Sequence, residues 1–163
     1  MNNFLKNKKI LLIVTGGIAC YRSLDLIRKL QELGSIVECI LTKSSLEFVN
    51  KITFESLLGK KVHSNLFSLS EEKKMSHIYL ANDMDIILVV PCTANFLSKI
   101  ANGIADDLAL NVLLASNKNK VIAPAMNTNM WENPIVKQNL KKLSKIKFKI
   151  LHPKSGKLAC GMK

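Results

Sequence analysis

A few residues in this 163-residue chain have the type and spacing to do chemistry. Thr15-Gly16-Gly17-Ile18-Ala19 is a glycine turn behind an apolar run. Backbone N–H groups at such a turn can receive a phosphate when a helix follows; the same turn also serves as a plain strand-to-helix connection. The third glycine of a dinucleotide fingerprint is missing, and the second apolar run ends Ile40-Leu41-Thr42-Lys43 with no acidic residue. A dinucleotide is therefore disfavoured, whereas the hydroxyls of Thr42, Ser44 and Ser45 suit the phosphate of a mononucleotide. His77 offers an imidazole with an ordinary pKa of about 6.5, and a positioned base is worth about 10²–10⁴-fold. A histidine among apolar neighbours also reads as a satisfied structural residue. Asn127, just after an apolar run, reads as a turn residue with an uncharged hydrogen-bond donor. Cys160, between Ala159 and Gly161, carries a thiol that is protonated at neutral pH and can release that proton; the alternative is an idle surface thiol. Cys20, Cys39 and Cys92 have small or apolar neighbours and read as buried and inert. His63 and His152 read as structural or surface residues, and Met126, Met130 and Trp131 as packing.

These side chains need a scaffold, and the chain alternates two periodicities to supply it. Residues 8–14 hold a continuous apolar run, Ile10 to Val14, behind the basic lead-in Lys8-Lys9, as expected of a parallel strand buried on both faces. Residues 19–33 place Leu24, Ile27, Leu30 and Leu33 at helical spacing, with Gly34 where a helix C-terminal cap belongs. Residues 35–42 are a second strand, so the unit must cross over right-handed into a parallel sheet. Short helices are expected over 44–50 and 54–59, with the end of another at 77–82. Strands follow at 85–90, 120–124 and 148–151, separated by helices at 95–102, 107–115 and 133–143. The pattern predicts a single three-layer α/β domain, Rossmann-like and flavodoxin-like, over residues 1–163. Residues 154–163 have turn chemistry without a core pattern and read as a flap. In such sheets ligands sit at the carboxyl ends of the strands, which is where Gly16, Thr42, Pro91 and Pro124 all fall.

Composition narrows the class. With 48% hydrophobic and 22% charged residues the chain is globular rather than disordered. The longest apolar runs fall far short of the roughly 20 residues of a membrane span, and the first residues lack a signal-peptide core, so a cytoplasmic location is expected. Four cysteines without a Cys-x-x-Cys pair argue against a zinc site or a disulfide framework. The net charge of +12 comes from scattered lysines with no interleaved aromatic residues, so nucleic acid is not expected as a partner.

The later segments carry a specific resemblance. Pro124-Ala125-Met126-Asn127-Thr128-Asn129-Met130-Trp131 resembles the P-x-M-N-x-x-M-W signature of the homo-oligomeric flavin-containing cysteine decarboxylases. Ser76-His77-Ile78, Pro91-Cys92-Thr93-Ala94-Asn95 and Leu158-Ala159-Cys160-Gly161 are similar, in order, to other segments of that family. Within it the chain resembles the phosphopantothenoylcysteine decarboxylases, in particular the decarboxylase half of the bacterial bifunctional proteins of coenzyme A biosynthesis.

That resemblance implies FMN as cofactor and 4'-phospho-N-pantothenoylcysteine as a phosphorylated substrate, decarboxylated to 4'-phosphopantetheine. Oxidation of the thiol side to a thioaldehyde makes loss of carbon dioxide easy, and return of the electrons leaves the reaction redox-neutral. It further implies His77 as active-site base, Asn127 as carboxylate holder and Cys160 as proton donor to the enethiolate, with Met126 and Ala159 at the substrate. FMN contacts are implied at Gly16, Gly17, Ile18, Thr42, Ser44, Phe48, Pro91, Cys92, Thr93, Ala94 and Ala125. A homotrimer with FMN between subunits, or a dodecamer of trimers, is implied as well, with a fused or separate phosphopantothenate–cysteine ligase. Two relatives in function stand as alternatives: an oxidative peptidyl-cysteine decarboxylase of lantibiotic maturation, and a non-catalytic flavoprotein acting as a regulatory subunit.

Overall fold

The fold is that of a computed structural model, which describes residues 4–66 and 76–153. Five strands, β1 (Lys9–Val14), β2 (Ile36–Leu41), β3 (Ile86–Cys92), β4 (Asn119–Pro124) and β5 (Phe148–Ile150), form one sheet. Every pairing is parallel and the order is β2-β1-β3-β4-β5. This is the flavodoxin-like order, and it reverses direction between β1 and β3. The alternation read from the sequence is therefore what the chain builds.

The two faces of the sheet are covered by different helices. Ile10, Leu12 and Val14 of β1, with Val37, Cys39 and Leu41 of β2, pack under α1 (Arg22–Glu32) and α2 (Lys51–Leu58). Leu11, Ile13, Ile87, Val89 and Ile122 pack on the other side. That face lies under α3 (Ser76–Asn82), α4 (Ala94–Ala101), α5 (Leu108–Ala115) and α7 (Pro134–Lys145). A short helix α6 (Thr128–Glu132) lies between β4 and α7. Among the described residues no helix is long and apolar enough to cross a membrane.

The boundaries differ from the sequence expectation for local reasons. A single tight turn, Ile18–Tyr21, precedes α1. One turn at Ser45–Glu47 replaces the helix expected over 44–50. Helix α2 then starts at Lys51 rather than 54, because Asn50 Oδ1 accepts from Ile52 N and caps it there. The end of α1 does follow the expectation. Gly34 adopts φ +81°, its N–H donates to Gln31 O and that of Ser35 donates to Leu30 O, a Schellman closure. A Cβ at Gly34 would also lie 3.3 Å from Lys6 Cα. Gly34→Ala should therefore destabilise the fold by roughly 1–2 kcal/mol, the cost of holding an L-residue left-handed. A lower midpoint in urea denaturation at unchanged slope is the expected result.

Candidate active site

The strand ends at the reversal of the sheet enclose a cleft of about 550 Å³. The turn after β1 supplies Gly16, Gly17, Ile18 and Ala19; the end of β3 and start of α4 supply Pro91, Thr93, Ala94 and Asn95. The end of β4 and the chain entering α6 add Pro124, Ala125, Met126, Asn127 and Met130, and Pro153 closes one side. None of these side chains is ionisable. A second, more polar cavity of about 250 Å³ shares Gly16, Thr93 and Asn95 with the first. It is lined further by Thr15, Thr42, Lys43, Ser44, Phe96, Lys99, Asp106 and Asp107.

Each wall has a local cause. Gly16 is a steric requirement: a Cβ there would sit 2.5 Å from Ser44 Cβ and 2.6 Å from Ser44 O. No side chain fits where the chains leaving β1 and β2 approach so closely. Thr93 caps α4 by accepting from Phe96 N at 3.3 Å, and Asn127 caps α6 by accepting from Met130 N at 2.8 Å. The Asn127 cap uses Oδ1, and among the described residues nothing accepts from its Nδ2. Asp107 caps α5 through Leu110 N at 2.8 Å, while burial raises its carboxyl above the ordinary range. At the mouth of the polar cavity Lys99 pairs with Asp106 at 2.6 Å.

The structure thus brings together Gly16, Gly17, Ile18, Thr42, Ser44, Pro91, Thr93, Ala94, Ala125, Met126 and Asn127 around two adjacent cavities. Other expected residues lie elsewhere. Phe48 is 55% exposed and lines neither cavity. Cys92 reads from the sequence both as buried and as one of the FMN contacts implied by the resemblance. Its side chain is fully buried in the core beneath the cleft, and its carbonyl accepts from Ala125 N at 2.9 Å. His77 sits half-buried in the first turn of α3 and lines neither cavity. Ala159 and Cys160, with the flap expected over 154–163, lie outside the described residues. Met130, read as packing, is 43% exposed and lines the cleft. Trp131 does pack, edge-on to His152 with ring centroids 5.9 Å apart. Sequence reasoning did not single out Lys43, Asn95 or Lys99. Asn95 and Lys99 are four apart on α4, a spacing that places both on one helix face.

The three described thiols are inert by position. Cys20, Cys39 and Cys92 are buried, and burial raises the pKa of each. Thiolate is the reactive form. Iodoacetamide added to the native protein near pH 8 should leave all three unlabelled in a peptide mass map, with labelling only after denaturation.

Comparison with known proteins agrees with this geometry. A family model described as Flavoprotein matches residues 2–163. The chain is 41% identical over 157 residues to the coenzyme A biosynthesis bifunctional protein CoaBC of Bacillus subtilis (strain 168), covering 96% of this chain but 39% of the relative. It thus spans about two-fifths of the length of that protein. It is 40% identical over 156 residues to a probable phosphopantothenoylcysteine decarboxylase of Streptococcus mutans, covering 94% of this chain and 87% of the relative. The crystal structure of the FMN-dependent cysteine decarboxylase SpaF superposes with a TM-score of 0.86 at 28% identity, covering 93% of this chain and 87% of that one.

Proposed function

The chain belongs to the Flavoprotein family, and from that premise we propose that it is an FMN-dependent decarboxylase. Its substrate in this reading is 4'-phospho-N-pantothenoylcysteine, its product 4'-phosphopantetheine, and its setting cytoplasmic coenzyme A biosynthesis. One observation carries the reading. An apolar cleft with no ionisable side chain among the described residues shares Gly16, Thr93 and Asn95 with a polar cavity lined by Lys43, Lys99, Thr42 and Ser44 together with Asp106 and Asp107. A flat apolar ring with a phosphate-bearing tail fits that pair of cavities, and the sequence at the end of β2 lacks the acidic residue a dinucleotide would need. FMN, when bound, supplies a reversible two-electron acceptor, so the substrate can be oxidised at its thiol and later reduced with no external oxidant.

The protein's own groups have separable tasks in this scheme. Asn127, its Oδ1 already engaged in the α6 cap, presents Nδ2 to the substrate carboxylate. A neutral donor orients the carboxylate without an ion pair that would oppose its loss as carbon dioxide. His77 removes a proton from the reacting end of the substrate, and Cys160 returns one to the enethiolate. Because His77 lines neither cavity of its own chain, a homotrimer in which α3 of one subunit serves the cleft of the next accommodates its role. Such trimers can assemble further into dodecamers. In this reading residues 1–163 are one FMN-binding domain, residues 154–163 are a flap over the substrate, and a fused or separate ligase supplies the substrate.

The decisive test records the visible spectrum of the purified protein and follows product by mass spectrometry after addition of 4'-phosphopantothenoylcysteine. Yellow protein and release of 4'-phosphopantetheine are expected. A yellow protein inert to that substrate but active on a peptide ending in cysteine would instead be a peptidyl-cysteine decarboxylase. A protein that cannot be loaded with FMN would end both readings. His77→Asn is expected to retain FMN while decarboxylation falls by at least about 10²-fold, the usual contribution of a positioned base. Cys160→Ser is expected to release carbon dioxide and accumulate an oxidised enethiol product; normal turnover would remove Cys160 from the scheme.

A further inference from the structure

The end of β3 breaks the sheet at the cleft. Val89 pairs with Ile122 and Cys92 with Pro124, so β3 carries one more residue than β4 over this stretch. Pairing with β1 stops at Ile13 and Val89. Val90 and Pro91 therefore fall outside both registers, and Pro91 has no N–H to offer. Their carbonyls still need partners, because unpaired backbone groups away from water are costly.

Two buried hydroxyls from the segment after β1 meet that need. Ser23 Oγ donates to Val90 O at 2.8 Å, and Thr15 Oγ1 donates to Pro91 O at 2.8 Å. Thr15 does more than its counterpart. Its Oγ1 also accepts from Thr93 N at 3.0 Å, and its own N–H reaches Pro91 O at 3.3 Å. Cys20 Sγ lies 2.9 Å from Thr15 O and holds the residue from behind. Thr15 is 1% exposed at the wall of the polar cavity, and its hydroxyl is already engaged on both sides, as donor to Pro91 O and as acceptor from Thr93 N. Thr93, which it grips, caps α4 and faces both cavities, and Thr93 Cγ2 lies 3.7 Å from where a Cβ on Gly17 would be.

We infer that Thr15 is a positioning residue, a clamp that fixes the bulged end of β3 so that the Thr93–Ala94 wall is preformed for the flat ring of a flavin. This rests on the flavin reading of the cleft. Without the clamp the wall would have to be ordered at the moment of binding, and affinity would fall for want of preorganisation. Thr15→Val keeps the shape and removes the hydroxyl, while Thr15→Ser keeps the hydroxyl.

The test measures FMN affinity by fluorescence quenching, together with amide hydrogen exchange over residues 91–95 without ligand. Thr15→Val is expected to weaken FMN at least about 10-fold and to speed exchange over 91–95, and Thr15→Ser to stay within about 3-fold of wild type in both. A Thr15→Val protein that melts lower yet binds FMN as wild type does would overturn the inference, as would weakened binding with unchanged exchange. Should the wild-type protein not bind FMN, the flavin reading falls, and with it the inference that this wall is shaped for a flavin. Where Thr15→Val does not fold, Thr15→Ala and Thr15→Ser are compared by the same two measurements, with the same outcomes deciding.

Discussion

The burial of β1 on both faces is the constraint from which the site follows. From Ile10 to Val14 no residue of this strand exceeds 2% exposure. A strand with no solvent face must be flanked by other strands and covered above and below by helices. Parallel neighbours reached through right-handed crossovers satisfy that demand, and with β2 on one side and β3 on the other the connections leave in opposite directions. The crevice this opens at the carboxyl ends of β1 and β3 is where both cavities lie. Nothing in the crevice itself has to drive its formation.

Within the crevice, backbone rather than side chain decides the shape. Gly16 lets the turn after β1 touch Ser44, and the irregular end of β3 swings Thr93 and α4 toward the opening. Three helices that begin at or near the cavities are capped by side chains of the cavity walls themselves, Thr93, Asp107 and Asn127. Each cap satisfies a backbone donor and fixes a wall residue with the same hydrogen bond. Charge is kept to one side: Lys43, Lys99, Asp106 and Asp107 border the smaller cavity, and among the described residues the larger has none. In the proposed reading this division sorts an apolar ring from an anionic tail.

Much of this was legible in the sequence, and the reasons are local. Apolar runs such as Ile10-Leu11-Leu12-Ile13-Val14 report two-sided burial directly, and Gly34 announces the end of α1 because only a left-handed residue closes that helix in this way. Gly16, Pro91 and Pro124 mark strand ends, and those ends do converge. What escaped depends on distance in space. The partnership of Lys99 with Asp106 is set by the loop between α4 and α5, and the role of Thr15 by a bulge in a strand 76 residues away. Cys92 reads as buried from its small and apolar neighbours, and it is: the motif around it reaches the cleft, while the bulge at the end of β3 leaves its own side chain in the core.

The composition of the larger cleft also bears on how chemistry can be done there. Its described lining consists of glycine, alanine, isoleucine, proline, methionine, threonine and asparagine, none of which exchanges protons near neutrality. In the proposed scheme the proton-transfer groups are therefore brought to the cleft from outside this lining. The proposed base, His77, lies on α3 apart from the lining, and the proposed acid, Cys160, on the C-terminal residues that follow Pro153, itself part of the wall. Separating binding from proton transfer has a physical advantage for a decarboxylation. A site without fixed cations near the carboxylate does not stabilise the ground state it must break down, and a neutral amide can orient the group while still letting its charge depart. Exposed Ile18 and Met130 on the rim, at 63% and 43%, are the apolar counterpart of the same division. They extend the apolar surface of the cleft beyond the fold's own core, to the rim where, in the proposed scheme, the groups that complete the chemistry arrive.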